Sequence, residues 1–241
     1  MMSVEFTKCK RTGLPWIYLA GGLAGAALPV LNTAVRTGMF LEKAERISPV
    51  QVLMEANWQM VSMVNLLLIV LGSTVLYHME YADNAIQRMD VMPVKPMKIF
   101  VNKFLMLTGF VLLAVVLETA GILVCLYGWF LPGEGFLMET GRNIGFGILL
   151  LLPVTVLMLA VSSVCRNMWI TLGIGVIGIF FANIMMNGSF WVSLIPFSMP
   201  FRLLSGMDGK DVIRFLSAAA GETVLFLAVA GLLQNRRRNA S

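Results

Sequence analysis

The stretch "YHMEYADNAIQRMDVMPVKPMKIFVNKF", Tyr77 to Phe104, carries three acids and four bases between two long apolar runs. The rest of the chain is very different. Of its 241 residues 58% are hydrophobic and 13% charged, whereas soluble domains sit near about 45–50% apolar. A soluble domain of this length has nowhere to bury so much apolar surface. Runs of about 20 apolar residues read as membrane-spanning helices, and such runs recur along the sequence. Topology therefore has to be read before chemistry.

Six spans are expected, at 14–35, 58–79, 104–130, 143–164, 168–187 and 215–234. The fold class is an all-α integral membrane protein with one transmembrane domain over 1–241. The run from Leu14 to Val35 is too long for the usual core of a secretory leader and reads as a retained first span. An even number of spans puts both termini on one side. Positive charge says which side, because cytoplasmic loops carry the excess of Lys and Arg. Lys8, Lys10, Arg11, Arg88, Lys95, Lys98, Lys103, Arg166 and Arg236–Arg238 give eleven bases on one face, against seven on the other. The acids outside the spans divide four to seven in the opposite sense, so the faces carry +7 and 0. Both termini are expected in the cytoplasm. The basic tail then anchors the last span beside anionic lipid and does not mark nucleic-acid binding. "GSFWVSLIPFSMPF", Gly188 to Phe201, is apolar but only fourteen residues long and holds two prolines. It reads as an outward re-entrant or interfacial element, since a seventh span would put the arginine tail outside.

Several chemistries are missing. No G-x-x-x-x-G-K-[ST] phosphate loop occurs, and "GMDGKD" at 206–211 has the wrong spacing. No H-E-x-x-H or G-x-S-x-G motif occurs. The single histidine, His78, stands at a span end and reads as a polar tip reaching the interface. The three cysteines, Cys9, Cys125 and Cys165, are spread over different depths and read as idle thiols. No metal site and no catalytic residue are expected. Small-residue pairs, Gly21 with Gly25, Gly141 with Gly145 and Gly178 with Ala182, would let helices approach closely.

The opening stretch is too long for a turn and too charged to face lipid. Glu80, Asn84 and Arg88 recur on one helical face, with Asp83, Gln87 and Asp90 on a neighbouring one. Pro93 and Pro96 then stop that helix. A short cytoplasmic helix between two spans is suited to taking a push from a soluble partner. The plainer reading is a solvated connecting loop.

The order of these features resembles the permease subunit of type-2 ABC exporters, in particular the small six-span permeases of lantibiotic immunity and bacitracin resistance. "EFTKCKRTGLPWIYL" is similar to their opening, "EYADNAIQRMDVMPVKPMKIFVNKF" to their first cytoplasmic loop, and "WVSLIPFSMPF" to the outward segment before their last span. The resemblance implies a coupling segment over 80–103. There Glu80, Asp83, Asn84, Gln87, Arg88, Asp90 and Pro93 would meet an ABC ATPase subunit. It implies a membrane-surface helix over 1–13, with Glu5, Lys8, Lys10 and Arg11 in it. It also implies a second permease half, as the same or a sister chain, and a bacterial plasma membrane. ATP and Mg would be held by the partner, with no cofactor bound by this chain. The cargo would be an amphipathic antimicrobial peptide.

Two acids lie inside spans, Glu118 in "LLAVVLETAGILV" and Glu222 in "SAAAGETVLFL". Carboxylates at such depth are costly and usually face a polar interior. Glu118 lies fourteen residues beyond Phe104 and Glu222 seven beyond Phe215, so both fall in the outer half and can share a cavity. They would line the path of a cationic peptide, or else fix helix packing by hydrogen bonds. A stand-alone transporter or channel is the alternative. It would need ion sites at broken helices, and Pro29 and Pro153 are the places where spans could break. A non-transporting assembly subunit is a third reading.

Overall fold

The computed structural model describes residues 12–82, 96–130, 133–186 and 188–240. Among them all regular structure is helical: α1 (Leu14–Val35), α2 (Thr37–Ala44), α3 (Pro49–Ala82), α4 (Pro96–Trp129), α5 (Phe136–Val164), α6 (Met168–Ile184), α7 (Phe190–Ser193), a 3-10 turn (Met199–Phe201) and α8 (Gly209–Ala240). Five helices, α1, α3, α4, α5 and α8, are long and apolar enough to cross a membrane. The shorter α6 has 17 residues, about 26 Å at 1.5 Å per residue, which is at the lower limit for crossing.

Helix ends follow local chemistry. Gly13 takes φ 70 ahead of a proline in the first turn of α1. Ser48 caps α3 by accepting from the Gln51 amide at 3.0 Å, and donates to Glu139 of α5 at 2.6 Å. Asn167 caps α6 by accepting from the Trp169 amide at 2.9 Å. Pro29 and Pro153 sit inside α1 and α5, and both helices run on through them.

The helices around the opening stretch are longer than the spans expected there. α3 and α4 have 34 residues each, about 50 Å, well beyond the hydrocarbon thickness of about 30 Å. α3 continues to Ala82, and α4 already starts at Pro96, where a proline is tolerated at a helix N-terminus. The expected 80–103 segment is thus helical at both ends. Before span two, residues 37–44 form α2 where only a connection was expected. Phe40 is buried there against Val50, Leu53 and Leu126, which gives that turn of chain an apolar anchor.

α3 is the centre of the bundle, touching α1, α4, α5 and α6. α1 packs mainly on α4, along a seam of small residues: Gly22 meets the backbone of Ala114, and Gly121 meets the backbone of Ala26. Of the expected pairs, Gly25 faces Glu118, Gly21 faces Leu68 and Gly178 faces Phe197. Gly141 and Gly145 meet nothing. α8 packs on α5 and α4 and is otherwise mostly exposed.

Residues 188–206 fold back into the bundle. Phe197, Ser198, Met199, Pro200 and Phe201 are buried. Trp58 of α3 donates to the carbonyls of Pro200 at 3.0 Å and Arg202 at 3.1 Å, and Ser62 donates to Pro200 at 2.7 Å. Arg202 donates to the Met186 carbonyl at 2.9 Å and to Ser193, and its guanidinium lies 5.8 Å from the Phe215 ring centre. Burial holds that guanidinium below its usual pKa. The Pro200 and Arg202 carbonyls, left open by the irregular chain, are thereby met by side chains of α3.

Candidate functional site

The described part of the 80–103 segment centres on an ion pair. Glu80, in the last turn of α3, is 5% exposed, and Lys103, in the second turn of α4, is 1% exposed. Lys103 Nζ stands 2.8 Å from Glu80 Oε1 and donates to the Leu76 carbonyl at 2.8 Å. It also lies 4.8 Å from the Tyr77 ring centre. One turn further, Tyr81 Oη donates to the Ser163 carbonyl at 2.5 Å. That carbonyl is in the last turn of α5, where helix carbonyls lack partners within their own helix. Glu80, expected on the helical face that would meet a soluble partner, instead faces inward to Lys103. The reason is that α3 stays helical past Met79, which turns position 80 toward α4.

Asp83, Asn84, Gln87, Arg88, Asp90 and Pro93 lie outside the described residues. So do Glu5, Lys8, Lys10 and Arg11 of the expected membrane-surface helix. Of the 80–103 segment the structure describes only its two helical ends, 80–82 and 96–103.

Glu118 lies at the contact of α4 with α1 and α3 and is 1% exposed. Oε2 accepts from Asn65 Nδ2 at 2.7 Å, while Oε1 has no hydrogen-bond partner among the described residues. Gly25 of α1 lies against the same carboxyl, and a Cβ there would come within 2.8 Å of Glu118 Cγ. Beside the pair is a cavity of about 20 Å³, lined in part by Trp58, Ser62, Asn65, Glu118, Gly147 and Pro200. A cavity of that size holds about one water molecule. A peptide lysine does not fit it in this conformation.

Glu222, on α8, is half-buried, with Oε2 buried and without a hydrogen-bond partner among the described residues. It does not line the Glu118 cavity. Similar depth did not bring the two acids together, because they stand on helices whose facing is set by different neighbours.

Asn65 and Lys103 are the buried polar residues of this region that sequence reading did not single out as site candidates. Asn65 could have been found as a polar side chain in the middle of an apolar span, where a buried amide needs a partner. Lys103 entered the sequence reading as one of the eleven cytoplasmic bases. The clue to burial was Glu80, an opposite charge at the facing end of the previous span.

With this geometry in view, the comparison with protein families is decisive at one level. The family model described as ABC-2 family transporter protein matches residues 1–183 of the 241. The chain belongs to that family. Neither a curated protein nor a solved structure matches it. Membership makes it a membrane subunit of an ABC transporter, in a class whose members are typically non-catalytic and work with an ATPase partner. With the five long apolar helices it is a multi-pass membrane protein, as a plasma-membrane permease is. The resemblance to type-2 ABC permeases holds at that level. The narrower likeness to lantibiotic-immunity permeases is a separate matter.

Proposed function

We propose that this chain is one half of an exporter that expels an amphipathic, cationic antimicrobial peptide from a bacterial plasma membrane, with ATP hydrolysed on a separate subunit. The observation that carries the reading is the family match over residues 1–183. In this account both termini are cytoplasmic, residues 83–95 meet the ATPase, and a second permease half, identical or a sister chain, completes the pathway. ATP and Mg are bound by the partner. Residues 188–206, held to α3 by Trp58 and Ser62, close the outer side.

The two intramembrane acids divide under this reading. Glu118 is bonded to Asn65 and sealed, so its first role is to fix α4 against α3. Glu222, half-buried on a helix that is mostly exposed, is the acid a cationic substrate reaches. The expectation of a shared, peptide-lined cavity is thus narrowed to Glu222.

The experiment is a protection assay with a cationic lantibiotic on host cells that lack the chain. Cells regaining the parent chain should become more resistant. Glu222→Gln should reduce that protection at normal membrane abundance. Equal sensitivity with and without the chain would overturn the peptide-export reading. Full protection by Glu222→Gln would remove the acid from the path.

A further inference from the structure

We infer that the Glu80–Lys103 pair pins the cytoplasmic ends of α3 and α4 together, so that a displacement imposed on residues 83–95 reaches both helices as one unit. The inference rests on the ABC-permease reading and adds positioning residues to it.

The argument begins with the cost of the pair. Taking two charges out of water is expensive, and replacing a buried ion pair by apolar residues of similar volume is often neutral or stabilising. A pair that is 1% and 5% exposed is therefore weak ground for stability. What it supplies here is register. Lys103 meets the Glu80 carboxylate, the Leu76 carbonyl and the Tyr77 ring at once. All three groups lie in the last turns of α3. Sliding α4 along α3 by one turn, about 5.4 Å, would break all of them and leave two buried charges apart. An apolar contact at the same place would tolerate that slide.

The place matters as much as the chemistry. Glu80 is three residues before Asp83 and Lys103 is eight after Lys95, so the pair sits at the base of the stretch that joins the two helices. The rest of the α3–α4 contact is modest, since α4 packs chiefly on α1. Tyr81, adjacent to Glu80, ties the same turn of α3 to the end of α5 through Ser163. Three helices are thereby joined at one level, at the helix ends that lead in sequence into the segment assigned to the ATPase.

The test uses the full-length chain co-purified with its ATPase subunit, with the three native cysteines replaced by alanine. Spin labels are placed at His78→Cys and Leu105→Cys, both exposed positions on the paired helix ends. Distances between them are measured by pulsed electron resonance, without nucleotide and with ATP and vanadate. The parent should keep one separation in both states. The double variant Glu80→Met with Lys103→Met, which keeps apolar volume and removes the charges, should show a separation that shifts between states. Lys103→Arg, which keeps a cation for Glu80, the Leu76 carbonyl and the Tyr77 ring, should behave as the parent does, and Glu80→Gln with Lys103→Gln takes the place of the double Met variant if that fails to assemble. The inference is overturned if the separation changes in the parent, if it stays fixed in the variant without the charges, or if it shifts in Lys103→Arg. If no ATPase subunit co-purifies, the permease reading fails. The pin is then judged alone by whether the nucleotide-free distribution broadens in the variants that lack the charges.

Discussion

A carboxylate at a helix–helix contact needs space and a donor. Glu118 finds space at Gly25 and a donor at Asn65. Replacing Asn65 by Leu would leave the carboxylate buried without its one hydrogen bond, a change worth about 1–3 kcal/mol. The expected result is a lowered melting temperature of the purified protein in detergent, whereas Asn65→Asp with Glu118→Gln, which restores a donor–acceptor pair, should recover most of it. The α1–α4 seam makes a similar prediction by steric means. A Cβ at Gly121 would press on the backbone of Ala26, which has no flexible end to move aside. Gly121→Ala should cost about 1–3 kcal/mol by overpacking. Gly109→Ala on the same helix, where nothing lies within 4 Å of the new atom, should instead be stabilising by about 0.5–1 kcal/mol through helix propensity. Thermal denaturation of the two variants side by side separates contact from propensity.

Among the elements, the most unusual is the stretch 188–206, which is held by short-range turns of its own and, at the Pro200 and Arg202 carbonyls, by side chains from α3. Trp58→Phe removes the donor shared by the Pro200 and Arg202 carbonyls, while Ser62 still serves Pro200. The expected outcome is faster amide hydrogen exchange confined to 188–206, with α3 and α5 unchanged. The ion pair between α3 and α4 makes the sharper prediction. Lys103→Met alone strands Glu80 in a buried setting, and breaking one side of such a pair costs about 3–5 kcal/mol. It should lower stability far more than the double Met replacement does, as thermal scans of the two variants would show. Much of this level could be read from the sequence, and some could not. Apolar run length located the long helices because a bilayer sets a minimum length. It did not locate their ends, since α3 and α4 carry polar turns past the membrane boundary and those turns are held by partners from other helices. Glu80 was placed on a partner-facing side because a local i, i+4 pattern contains nothing about Lys103. Helix α2 was missed because its eight residues are too few to cross a membrane and gain their order from Phe40, buried with residues of α3 and α4.

For the whole molecule, the family match and the helical bundle agree on an ABC transporter membrane subunit, and the remaining claim is how it faces its partner. In the proposed account the excess of Lys and Arg would put the termini and residues 83–95 in the cytoplasm and residues 188–210 outside. Single cysteines at Lys210 and Arg166, in a background without the native cysteines, should divide accordingly in intact cells. A membrane-impermeant maleimide should label Lys210→Cys and spare Arg166→Cys until the cells are opened. The reverse pattern would invert the topology and remove residues 83–95 from the ATPase side.

The measurement that bears most directly on the central claim is purification of the chain from its native host in mild detergent, with the bound proteins identified by mass spectrometry. The account predicts that an ATPase subunit with a phosphate-binding loop accompanies the parent chain. It also predicts that this subunit is lost from Asp83→Arg and Asn84→Arg while the permease remains folded. An intact chain that carries no ATPase, or one that keeps it undiminished in both variants, would contradict the assignment of residues 83–95 as the coupling segment.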